Sequence, residues 1–203
     1  MAPTRLDLRR QPVTFTFVMR IFTVNLKRHL AALGAGVLLC SMCAADPAPP
    51  ELMEKLRTAP EDEARRAARE VETTWGRSGS PAMDLLLKRG RDAMEAENYR
   101  LAIEHFSALT DHAPDFAEGY HARAEAFFRS NRYGPALADL ERTLALNPQH
   151  YEAIFGFGVM VQEFGDARRA AALFRRVLAL YPHHPHAAEA LTLLKRDGIG
   201  REL

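Results

Sequence analysis

Cysteine is nearly absent from this chain: Cys40 and Cys43 are the only two, and both fall in the first 45 residues. Beyond them a disulfide framework, a cysteine nucleophile and a thiolate metal site are excluded. Charge of one sign is lacking too. The 27 Lys and Arg against 26 Asp and Glu do not mark a nucleic-acid binder. No apolar run approaches the roughly 20 residues of a membrane-spanning helix. Also missing are Gly-x-Ser-x-Gly, Gly-x-Gly-x-x-Gly, a phosphate loop and His-Glu-x-x-His. Gly156 and Gly158 fall inside an expected helix, where close packing explains them. We therefore expect no catalytic residue, no cofactor and no enzyme.

What is present begins with Arg5, Arg9, Arg10, Arg20, Lys27 and Arg28, set against one acid, Asp7, and followed by the apolar run from Leu30 to Met42 and the small residues Ala44 and Ala45. Basic, then apolar, then small is the order of a secretory signal. Residues 1–45 are expected to be that signal, cut before Asp46, with the mature chain exported, as to a bacterial periplasm. Met19, followed by Arg20, makes a more usual signal start than Met1, so residues 1–18 are a candidate start-site artefact. An uncleaved anchor and a lipidated cysteine are the alternatives; lipidation wants a small residue before the cysteine, where Leu39 and Met42 stand. Cleavage moves the net charge from +1 to about −4, which argues against DNA and anionic membranes as partners.

The rest of the chain repeats. Pro114, Pro148 and Pro182 are 34 residues apart, and Ala102, Ala136 and Ala170 keep that period, as do Phe106, Leu140 and Phe174. A second small-residue column, Gly90, Ala124 and Gly158, lets paired helices approach closely. Turns at 97–99, 130–132 and 164–166 divide each unit, and proline ends it. The pattern predicts helices near 83–96 and 100–112, 117–130 and 134–146, and 151–164 and 167–180.

These columns resemble the tetratricopeptide-repeat family over about residues 83–182, with Tyr120 at the aromatic position of helix A and Leu86 and Ile154 as apolar substitutes. The resemblance implies an all-α, right-handed solenoid of three helix-turn-helix units (about 83–116, 117–150 and 151–184). It implies binding of protein or peptide in the concave groove of the A helices. By register the groove residues are Leu87, Arg91, Met94, Glu95, His121, Glu125, Phe128, Arg129, Phe155, Val159 and Gln162. Some family members clamp the terminal carboxylate of heat-shock chaperones; the corresponding columns here hold Leu87, Arg91, Ala122, Glu152 and Gly156, so that clamp is expected to be absent.

Flanking segments are expected to close the stack. Residues 46–79 read as a Pro-rich start, a charged helix from about Pro60 to Trp75 and a linker. Thr58 and Glu61 have the spacing of a capping box, and Ser80 and Pro81 are suited to open the first repeat. Trp75 is expected either to staple the charged helix to the first repeat or to anchor a partner. Residues 183–203 read as a solvating cap helix, with Ala190, Leu191 and Leu194 on one side, and a tail stopped by Asp197 and Gly198. His183, His184 and His186 read as solvated loop histidines, and no metal site is expected. Two functions follow: a peptide-binding module for an envelope or secreted partner, or a scaffold in a larger envelope assembly, docked through its outer faces or by self-association.

Overall fold

The computed structural model describes residues 48–196. The expected signal (1–45) and the stop at Asp197–Gly198 lie outside the described residues. Nine helices are described: α1 Pro50–Thr58, α2 Glu61–Trp75, α3 Pro81–Glu95, α4 Tyr99–His112, α5 Ala117–Arg129, α6 Tyr133–Leu146, α7 Tyr151–Glu163, α8 Ala167–Leu180 and α9 Pro185–Arg196. Helices α3 to α8 form three successive hairpins, each predicted helix lying within two residues of its observed bounds at either end. Among the described residues no helix is long and apolar enough to cross a membrane.

Each hairpin closes on a fitted pair of sizes. A Cβ on Gly90 would overlap the Phe106 ring, and one on Gly158 would come 2.6 Å from Phe174 Cε1. In the middle hairpin Ala124 takes the glycine's place, and the smaller Leu140 shares its buried cluster in place of phenylalanine. The volume added on one helix is removed from the other.

The turns also repeat. Glu97, Asn131 and Gly165 all adopt a positive φ. At each, the next residue's N–H reaches back across the turn: Asn98 to Ala93 O, Arg132 to Phe127 O and Asp166 to Val161 O. This is the hydrogen-bonded ending that a left-handed residue allows a helix. Asn98 and Asp166 then cap the next helix through their side chains. Between units, Arg142 donates to Pro114 O at 3.0 Å and Arg176 to Pro148 O at 2.7 Å. Arg123 on α5 grips Asp139 on α6 with two bonds of 2.7 and 2.8 Å and donates to Thr110 on α4.

The N-terminal segment differs from expectation in three ways. Residues 50–58 form helix α1. Thr58 donates its hydroxyl to Glu54 O inside that helix, and Pro60 stands at the α2 N-terminus with no side-chain cap, so the capping box does not form. Trp75 is buried against the third repeat, stacked on His150 at 4.5 Å between ring centroids and tilted against Tyr151 at 5.2 Å; the staple to the first repeat is corrected. The cause lies in the apolar stripe of α2, where Ala64, Ala67, Ala68 and Val71 join Met53 and Leu56 of α1 in one buried cluster with Tyr151, Ile154, Val177 and Tyr181. The opposite face of α2 is charged and exposed, with Arg65 paired to Glu61 and Asp62. Ser80 and Pro81 do open α3, but Ser80 makes no side-chain cap; Ser78 instead bonds Asp84. At the other end α9 packs Ala187, Leu191 and Leu194 inward, leaving Ala190 half-buried.

Candidate binding groove

Helices α3, α5 and α7 are the first members of their hairpins, and their side chains line one groove. A cavity of about 330 Å³ between α5 and α7 is lined by six of the predicted residues: His121, Glu125, Phe128, Arg129, Phe155 and Val159. Leu140, Met160 and Ala124 form part of its apolar wall. Phe128, Phe155 and Val159 are half-buried, each packed against the core while also lining the cavity. A neighbouring cavity of about 240 Å³ takes in Arg91, Met94 and Glu95. Gln162, half-buried on α7, does not line the larger cavity. Leu87 is corrected: it is 2% exposed and packs in the core with Phe106 and Leu109, its position on α3 facing α4 rather than the groove.

A third cavity, of about 270 Å³, lies where α2 meets α5 and α7, lined by Glu72, Trp75, Arg91, Glu118, His121, His150 and Glu152. His121 lines all three cavities. Glu118 is the electrostatic centre: Arg91 Nη2 lies 2.5 Å from its Oε1, and His150 Nε2 lies 3.0 Å from its Oε2. Burial alone would raise this carboxyl, but the two histidines facing it outweigh burial and hold it well below the ordinary carboxylate range. Burial likewise pushes both imidazoles down. For His121 the attraction of Glu118 reverses the sign and favours the imidazolium; His150, repelled by His121, stays low and neutral. His121 Nδ1 sits 3.5 Å from Glu118 Oε2, an ion-pair contact too long to satisfy it, and that buried nitrogen makes no hydrogen bond.

Sequence reasoning missed a second repeated device. His150 Nδ1 accepts the Ala153 N–H at 3.2 Å and caps α7, while Nε2 faces Glu118. His184 does the same 34 residues later, accepting from Ala187 at 3.1 Å and facing Glu152 Oε1 at 3.2 Å. His184 is 2% exposed, so its reading as a solvated loop histidine is corrected; His183 and His186 are exposed. The missed signal was present as two columns of period 34, Glu118 with Glu152 and His150 with His184.

Glu118, His121 and His150 bring three donor atoms within 4.8 Å of one another. They do not fit a metal well. With its Nδ1 accepting from Ala153, His150 carries its proton on Nε2 and has no free lone pair, whereas a ligating histidine normally donates its second ring nitrogen. Arg91 adds a positive charge on the same carboxylate.

A groove lined by paired helices of a repeating stack defines a class, the helical-repeat binding proteins. Residues 87–151 and 121–185 match the tetratricopeptide repeat. Residues 87–185 of this chain are thus a tetratricopeptide-repeat domain, and the matching family is a repeat, not a catalytic domain. A TPR repeat-containing protein of Rhizobium etli is 27% identical over 139 residues, covering 68% of each chain. The Hsp70-Hsp90 organizing protein of Triticum aestivum is 35% identical over 94 residues, which are 46% of this chain but 16% of that protein. Among solved structures, the first TPR of Spaghetti bound to an HSP90 peptide superposes with a TM-score of 0.54 at 23% identity, over 57% of this chain and 91% of that one. That likeness is one of fold.

Proposed function

We propose that the groove of α3, α5 and α7 binds a peptide segment of a partner protein, and that the chain acts by holding that partner without catalysing a reaction. The observation that carries this reading is the 330 Å³ cavity, whose half-buried Phe128, Phe155 and Val159 offer apolar anchorage between Glu125 and Glu152. The Spaghetti repeat domain holds a peptide, which supports the mode of binding. A terminal carboxylate is not the expected ligand, since Leu87 and Ala122 are core, Arg91 is tied to Glu118, and Glu152 would repel it. The site of action in this proposal is the envelope, after export directed by residues 1–45, with an envelope or secreted protein as partner. Affinity capture from envelope extract, wild type beside Phe128→Glu with Phe155→Glu, tests it: a partner lost from the folded double variant supports the groove, and identical capture by both overturns it.

A scaffold role through the outer faces, or self-association, is the second reading, favoured by Phe164, 61% exposed on the turn between α7 and α8. Light scattering tests its self-association arm, because a chain that stays monomeric on concentration excludes self-assembly.

A further inference from the structure

The three cavities are bordered by five carboxylates, Glu72, Glu95, Glu118, Glu125 and Glu152, against two guanidinium groups and the His121 ring, whose charged form Glu118 favours. Both guanidiniums are already engaged, Arg91 by Glu118 at 2.5 Å and Arg129 by Glu125 at 3.9 Å. Two of the acids that share the cavity beside α2 have no lysine or arginine opposite them. Glu72 Oε1 accepts from the Tyr151 hydroxyl at 2.8 Å, and Glu152 Oε1 faces the ring of His184 at 3.2 Å. Both charges act on Tyr151, whose hydroxyl is pushed well above its ordinary value by burial and then by Glu72 and Glu152. This pocket is not a generic feature of the repeat, because Glu72 and Trp75 come from the added helix α2. Glu152 and His121 also line the larger apolar cavity, so the acidic pocket and the Phe128–Phe155 cavity are neighbours that share two side chains.

Resting on the groove reading above, we propose that the pocket between Glu72 and Glu152 seats the ammonium or guanidinium group of a lysine or arginine on the bound peptide, while a nearby apolar side chain of that peptide fills the Phe128–Phe155 cavity. The sign is set by complementarity: carboxylates with no lysine or arginine opposite them, at the edge of a cleft, favour a cation and repel an acid. A metal ion is the poorer occupant, for the tautomer reason given above.

The test is fluorescence anisotropy of the full chain with labelled synthetic peptides, rich in Leu, Phe and Met, that carry Lys, Arg, Gln or Glu at one central position. The Lys and Arg peptides are expected to bind about tenfold or more tighter than their Glu counterparts. Glu72→Gln with Glu152→Gln should remove that ratio; circular dichroism and the unfolding midpoint check that the variant is folded. Equal binding of Lys and Glu peptides, all still weakened by Phe128→Ala, overturns this inference and leaves the groove reading standing. No binding by any peptide overturns both.

Discussion

His150 Nε2 stands 3.0 Å from Glu118 Oε2, a histidine that caps one helix facing a buried carboxylate on the helix before it in the groove. The pair recurs as His184 and Glu152, which makes it part of how successive units are joined. What differs between the copies is the residue three positions after the glutamate: His121 in the second unit, Phe155 in the third. That exchange places beside Glu118 a second imidazole, whose charged form the carboxylate favours, and in the third unit a phenyl ring 5.1 Å from the His184 ring.

Stability should depend on pH through this cluster. Glu118 has a lowered carboxyl, so its contribution is present above the ordinary 4.5 and lost as pH falls through its folded value. Neutral His150 acts in the same direction below 6.5, because the unfolded chain takes up that proton first. His121, raised by Glu118, contributes below 6.5 and loses its contribution as pH rises through its folded value. Urea unfolding of Glu118→Gln beside wild type should show a gap at neutral pH that closes below pH 4.5. A gap that is constant with pH would contradict the assignment.

The size exchange between paired helices makes a coupled prediction. Gly90→Ala should destabilise by about 1–3 kcal/mol, because its Cβ would enter the Phe106 ring. Leu140→Phe should be destabilising beside Ala124, and adding Ala124→Gly should recover about 1–2 kcal/mol as a coupling in a double-mutant cycle. Additive behaviour in denaturant unfolding would refute the fit.

At the first turn Glu97 holds φ 55°, where Gly165 stands in the third unit. A side chain there costs about 1–2 kcal/mol, so Glu97→Gly should raise the unfolding midpoint. A drop would show that the Glu97 side chain makes a compensating contact.

His184→Ala should cost about 1–2 kcal/mol through the lost cap of α9, and hydrogen exchange at Ala187 should accelerate. His183→Ala, on an exposed neighbour, should stay within about 0.5 kcal/mol. Equal effects would return His184 to the solvent.

The repeat was legible because packing constraints recur with a fixed period: the prolines, the small columns and the turns each occupy equivalent positions. The same register places Met94, His121, Phe128 and Phe155 along cavities beside α3, α5 and α7, whereas the first unit buries Leu87 against Phe106 and Gln162 lines none of the three cavities. Docking of α1 and α2 was not legible, since the stripe of Ala64, Ala67, Ala68 and Val71 shows that α2 is amphipathic without saying which surface receives it. His184 was misread because groups that enclose it, the rings of Tyr151 and Phe155 and its partner Glu152, 32 residues earlier in sequence, come from α7. Local composition around three histidines cannot show that partner.

The most direct measurement is the methyl NMR spectrum of [13C]methyl-methionine protein as its captured partner is added. Met94 and Met160 line the groove, whereas Met53 lies in the cluster beneath α1 and α2 and Met83 packs on the core of the first unit. Shifts at Met94 and Met160 with Met53 and Met83 unmoved are the result the groove account predicts. Shifts confined to Met53 and Met83, with Met94 and Met160 unchanged, would contradict it.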